Sequence, residues 1–235
     1  MRLNADFSER VVIRPEDYQW VASPMPGVER MMLDRIGDEV ARATSLVRYA
    51  PNSSFSRHVH GGGEEFFVLE GEFGDEHDRY PAGTYVRNPI GTAHSPRVGA
   101  DGCVIFVKLH QFEGADQAQF ALDTTSLEFQ PGTADGIEVL KLHEFGTERV
   151  TLIRWAPNTA FERHAHQRGE EVFVIEGAFY DEDGAYPAGT WMRSPRGSAH
   201  APFTRDEGAL VYVKIGHLPR QQRPGTASVT GDRYP

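Results

Sequence analysis

The sequence predicts an all-β protein built from two tandem units, and three observations carry that expectation. Residues 47–108 and 153–214 align without a gap and are identical at 32 of 62 positions, the mark of one duplicated folding unit. Each copy is a series of short alternating or apolar runs separated by Gly, Pro, Asn and Asp. A pattern of histidines and one glutamate occurs in both copies at a constant offset of 106 residues, with no insertion between its members.

The strand candidates of the first copy are Ala43–Tyr49, Glu65–Leu69, Thr84–Arg87 and Val104–Leu109, each with its counterpart in the second. Such units manage their edges by closure or by packing two sheets, as a sandwich, a barrel or a jelly roll. Upstream, Gly27-Val28-Glu29 matches Gly136-Ile137-Glu138, so the first copy carries three extra residues before the registers merge. Gly114–Leu122 is the best helix candidate and lies between the copies. A boundary there gives units over 1–120 and 121–218, with 219–235, rich in Gly, Pro, Gln and Arg, as a flexible tail or arm.

A formal charge of −10 argues against a phosphate-binding surface, and no Lys/Arg run offsets it, so no nucleic-acid partner is expected. No run of 18 apolar residues reads as a membrane span. The N-terminal residues lack the apolar core of a signal peptide. Cys103 is the single cysteine, which rules out an internal disulfide. A cytoplasmic protein that takes a small-molecule ligand is the expectation, and homo-oligomerisation stays open.

The chemistry lies in the doubled pattern. The first copy reads His58-x-His60-x3-Glu64-x6-Gly71 and then Gly83-x5-Pro89-x-Gly91-x2-His94. The second reads His164-x-His166-x3-Glu170-x6-Gly177 and then Gly189-x5-Pro195-x-Gly197-x2-His200. In a strand, residues two apart share a face, so each His-x-His pair can converge on one ion. A glycine turn ending at Gly63 or Gly169 brings the glutamate back, and the glycine common to both copies is the one expected to need an unusual backbone angle. The Pro-x-Gly turn then delivers His94 or His200. Three imidazoles and a carboxylate suit a divalent metal, up to two per chain: Fe(II), Mn, Ni, Co or Zn, which this ligand set does not tell apart. Octahedral geometry leaves two positions open, whereas a tetrahedral zinc site is filled by these four.

With Gly-Glu-Glu-x-Phe-Val-x-Glu-Gly-x-Phe, Tyr-Pro-Ala-Gly-Thr and Arg-x-Pro, the paired motifs resemble the cupin superfamily, and two copies make a bicupin. The wording is similar to the cupin-like domain of ChrR-type anti-sigma factors over roughly residues 27–109 and 136–215. The resemblance implies two jelly-roll (double-stranded β-helix) barrels with metal inside each, and it carries the ligand role to His58, His60, Glu64, His94, His164, His166, Glu170 and His200. Cupins often place Asn four residues after the last histidine; Val98 and Thr204 stand there instead. ChrR-type anti-sigma factors also carry a cysteine-built, sigma-binding zinc domain, and with one cysteine this chain is not expected to sequester a sigma factor by that route.

Around these residues, alternation turns Glu65 and Glu171 to the opposite face, exposed or in a structural ion pair. Arg87 and Arg193 offer either a bidentate anchor for a substrate carboxylate or a repeated structural ion pair. Lys108 and Lys214 are expected to be solvated at strand ends, Cys103 to be core, and His77, His110, His143 and His217 to be surface or core residues. No residue is assigned as a catalytic acid, base or nucleophile. Two functions follow from the resemblance: a dioxygenase of diketones or hydroxyketones, or a metal-dependent sensor without catalysis.

Overall fold

A computed structural model describes residues 1–219. Apart from Pro219, the tail expected over 219–235 lies outside the described residues. No α-helix occurs among the described residues, and no helix is long and apolar enough to cross a membrane. Each copy forms one large antiparallel sheet and one small two-stranded sheet, the arrangement of a jelly roll.

In the first copy the large sheet runs Val28–Gly37, Ala41–Tyr49, Arg97–Leu109, Glu64–Gly74, Thr84–Asn88. In the second it runs Ile137–Phe145, Glu148–Trp155, Ala209–Ile215, Glu170–Asp181, Trp191–Ser194. Alternation sorts every strand into an inner and an outer set. Val28, Val47, Phe66, Val68 and Ile105 fill the first barrel, and Ile137, Val172, Val174 and Val211 the second. The outer set of both sheets forms one shared core. There Met31, Leu33, Phe67, Tyr85 and Phe106 meet Leu140, Leu152, Phe173, Trp191 and Tyr212. Phe106 stacks on Phe173 with ring centroids 4.9 Å apart. Burying each large ring there is worth about 1.5–3 kcal/mol, so the two sheets hold each other as one hydrophobic body.

The edges are exchanged between the copies. Val11–Ile13, which precedes the first barrel, pairs with Trp191–Ser194 of the second, Val11 opposite Arg193. Phe120–Asp123, which precedes the second barrel, pairs with Thr84–Asn88 of the first, Phe120 opposite Arg87. The helix expected over Gly114–Leu122 is therefore a correction: a turn at Gly114 and Ala115 leads to an extended edge strand. Phe120 and Leu122, two apart, pack on the shared core, and tertiary pairing outweighs the modest helix preference of Gly-Ala-Asp-Gln-Ala-Gln. Each exchanged strand covers a sheet edge that would otherwise expose unpaired backbone groups.

The face opposite the histidines holds buried charge. Lys108 and Lys214, expected to be solvated, are fully buried, because in each case the other copy covers the face to which alternation turns them. Lys108 Nζ lies 2.6 Å from Glu171 of the other copy and 3.0 Å from Thr44 Oγ1. Lys214 pairs with Glu65 of the other copy and lies 2.9 Å from Glu148. Glu65 and Glu171 are thus buried in ion pairs that cross between the copies. Burial lowers the Lys108 pKa despite Glu171, whereas Lys214, held by two carboxylates, is raised despite its burial.

Candidate metal centres

The small sheet of each barrel carries the histidines. His58–Val59 pairs with Ala93–His94, placing His58 opposite His94, and His164–His166 pairs with Ser198–His200, placing His164 opposite His200. The distal histidine is therefore a strand neighbour of the first one. The glutamate comes from the large sheet, at the first residue of Glu64–Gly74 or Glu170–Asp181. The turn before it depends on Gly63 and Gly169, with φ of 78° and 77°. A Cβ on Gly63 would collide with the Phe112 ring, and one on Gly169 with Leu218, so both the angle and the space require glycine.

One potential ligand atom from each of His58, His60, Glu64 and His94 lies within 4.8 Å of the others. In the second barrel His164, His166 and His200 meet the same limit. Glu170 Oε2 joins them at 3.3 Å from His166 Nε2 and 3.7 Å from His200 Nε2. His166 and His200 bring their Nε2 atoms to 3.1 Å. Adjacent ligands on one ion with bonds of about 2.1 Å stand roughly 3.0–3.4 Å apart; the 3.1 and 3.3 Å separations fall in that range and the 3.7 Å one lies just above it. His60 Nε2, His94 Nε2 and Glu170 Oε2 are buried without a hydrogen-bond partner. Buried polar atoms left unpaired are costly, and here two belong to the first cluster and one to the second. The donor set fits a divalent cation.

The far ring nitrogens are held. His94 Nδ1 faces Asp75 at 3.3 Å and His200 Nδ1 faces Asp181 at 3.5 Å. His60 Nδ1 meets Thr92 Oγ1 at 2.9 Å, and His164 Nδ1 meets the Glu162 carbonyl at 3.0 Å. Such contacts turn Nε2 towards the centre and raise its basicity. Sequence reasoning missed Asp75 and Asp181. Their signal was present: Asp75-Glu76 recurs as Asp181-Glu182 at the common offset. Burial raises Asp181, but hydrogen bonds from His200, Tyr186 and the Asp183 backbone, with the nearby Arg10 charge, hold it down at about 2.

Burial, assisted by neighbouring histidines, lowers His60 to about 3 and His166 to about 4. Both are neutral and able to ligate at pH 7. Burial drives the carboxyls the other way, and Glu64 and Glu170 rise to about 7. An arriving cation meets neutral imidazoles at His60 and His166 and displaces a carboxyl proton.

Arg87 and Arg193 are not brought to either cluster. Arg87 lies 2.8 Å from Glu65 and 2.6 Å from Asp116, and Arg193 lies 3.0 Å from Asp34, all buried. His143 lies 2.7 Å from Asp116, and His217 2.8 Å from Glu171. A third acidic group, Asp116, His143 and Glu148, has its positive charge supplied by Arg87. Cys103 is buried in the first barrel's core.

The fold and the two clusters define a bicupin with two candidate metal centres. The family model described as the ChrR cupin-like domain matches residues 8–113 and again 117–219, and the chain belongs to that family. No curated protein matches the chain by sequence. Among solved structures it resembles a provisionally assigned dioxygenase from Nostoc punctiforme, with a TM-score of 0.74 and 17% identity over 91% of this chain and 85% of that one. A provisionally assigned glyoxylate-induced protein from Pseudomonas aeruginosa gives 0.71 and 16%, covering 92% and 91%. A point mutant of Bacillus subtilis oxalate decarboxylase gives 0.63 and 14%, covering 87% and 76%. At these identities the likeness describes the fold.

Proposed function

We propose that the protein is a divalent-metal-binding bicupin that acts on a small molecule, as an enzyme of dioxygenase type whose substrate is a diketone or hydroxyketone. The observation that carries this reading is the gathering of three histidines and one glutamate in each barrel, with His60 Nε2, His94 Nε2 and Glu170 Oε2 buried and without a hydrogen-bond partner. His58, His60, Glu64 and His94 would hold one ion, and His164, His166, Glu170 and His200 the other. A divalent ion there supplies Lewis acidity and a template for a chelating substrate.

The chain's own residues do the rest. Asp75 and Asp181 orient the distal imidazoles. Phe73 and Phe179 pack against them, with ring centroids 5.9 and 6.0 Å away, and shield that side from water. Glu64 and Glu170 hold a proton in the empty site and release it when the ion binds. The Nostoc structure is provisionally assigned as a dioxygenase, and that assignment is in line with the proposed reaction class. A second reading, a metal-dependent regulatory module, is favoured by the family match. Oxygen uptake by protein loaded anaerobically with Fe(II) separates the two. Consumption with acetylacetone or hydroxyacetone is expected, and none with any diketone or hydroxyketone contradicts the enzymatic reading.

A further inference from the structure

The two barrels share their candidate ligands but differ in what lines the space beside them. In the second barrel a cavity of about 370 Å³ reaches His164, Glu170 and His200. Its walls are largely apolar, with Trp155, Phe161, Val172 and Val211 among them. A cavity of this size lies at the small end of the range for ligand sites, which combine apolar walls with a few placed polar groups. Two polar groups stand out. The Trp155 indole nitrogen is buried without a hydrogen-bond partner. Lys141 lines the same cavity, is exposed, and forms no ion pair among the described residues.

Strand register identifies the counterparts in the first barrel. Val172 lies opposite Val213, as Phe66 lies opposite Val107. The larger Phe66 ring is 2% exposed and packs on Phe73 with centroids 4.8 Å apart. Lys141 lies opposite Thr151, as Met32 lies opposite Ser45, so the free cation is replaced by a thioether. Val139 corresponds to Arg30 on the same evidence, and Arg30 is engaged with Ser23 Oγ at 2.7 Å. Duplication began from one set of residues. The divergence puts an apolar cavity and an unpaired ammonium beside one candidate metal cluster, and beside the other a large Phe66 ring and a cation, Arg30, already engaged with Ser23 and Glu39.

We propose that the second barrel alone takes the substrate, an apolar carbonyl compound that carries a carboxylate. Its apolar body lies against Trp155, Phe161 and Val172, and its carboxylate meets Lys141 at the mouth. The first barrel keeps its ion to hold the fold. The assignment rests on the small-molecule reading above and adds which barrel binds and the charge of the ligand. It also moves the anion anchor from Arg87 and Arg193, which are spent in buried ion pairs, to Lys141.

The test is calorimetric titration of zinc-loaded protein with benzoylpyruvate and with its neutral relative benzoylacetone, metal content being measured on the same samples. Wild type is expected to bind one equivalent of benzoylpyruvate. Val172→Phe, which copies the first barrel, weakens it by about tenfold or more while both zinc ions remain. Lys141→Met, at an exposed position where folding is not at risk, weakens benzoylpyruvate about tenfold and leaves benzoylacetone within about twofold, because only the acid makes a charge-assisted contact. Two equivalents bound, no effect of Val172→Phe, equal losses of both ligands in Lys141→Met, or no binding with zinc retained would each overturn the proposal. Failure of wild type to hold zinc overturns the metal reading instead, so the two outcomes are distinct.

Discussion

Replacing Lys108 by Met should destabilise the protein far more than losing a surface ion pair does. Lys108 Nζ sits 2.6 Å from both carboxylate oxygens of Glu171, and both side chains are 1% exposed. Removing one partner of a buried pair leaves the other charge stranded, at a cost of about 3–5 kcal/mol. Trp191 Nε1 at 2.8 Å and His217 Nε2 at 2.8 Å would remain on Glu171, which places the loss near the lower end. With a urea slope of about 3 kcal/mol per molar for a chain of this size, the midpoint should fall by about 1 M. The double variant Lys108→Met/Glu171→Leu removes both charges and should recover part of that loss. Because both copies share one core, unfolding should remain a single transition. A midpoint shift below about 0.3 M would match an exposed pair worth under about 1 kcal/mol and would refute a buried, coupled interface. Acid should act on the same network. Glu65 is raised by burial, but Lys214 and Arg87 pull it down to about 2, so it adds stability above the ordinary glutamate value of about 4.3. That contribution is lost as pH falls through about 2.

Three further outcomes are expected. His60→Ala and His166→Ala should each remove about one metal equivalent by elemental analysis, and no loss from either would sink the ligand assignment. Asp75→Asn and Asp181→Asn should retain the fold but weaken chelator-competed metal affinity by about 10–100-fold, since each carboxylate orients a candidate ligand. Metal affinity should fall about tenfold per pH unit below about 7, where Glu64 and Glu170 hold the proton that the cation displaces. His60 and His166 stay neutral to about 3 and 4 and do not set that limit. Proton release measured by calorimetry in buffers of different ionisation enthalpy would check this: about one proton released per ion near pH 6 is expected, and none released there would contradict it.

The all-β class, the duplication and the eight clustered residues were legible because each has a local, repeated sign. Histidines two apart, a glycine-closed turn and a constant offset survive reading one residue at a time. The companions of those residues were harder. Alternation correctly turned Lys108, Lys214, Glu65 and Glu171 away from the histidines, but it cannot say whether that face meets water or another sheet. Lys108 and Lys214 were expected in solvent and are buried because the other copy covers them. The exchanged strands Val11–Ile13 and Phe120–Asp123 are related only at the earlier offset of 109, outside the gapless alignment, and neither resembles the other in sequence. Asp75 and Asp181 were visible as a repeated Asp-Glu pair, yet nothing in strand periodicity brings them near His94 and His200; the far ends of the long strands Glu64–Gly74 and Glu170–Asp181 do that.

The most direct test of the two metal centres is elemental analysis of the full chain, purified anaerobically without chelators, reporting which metal and how many ions per chain. Two equivalents of a divalent transition metal are expected. A chain that holds none, and cannot be reloaded with iron, manganese, nickel, cobalt or zinc, would contradict the account.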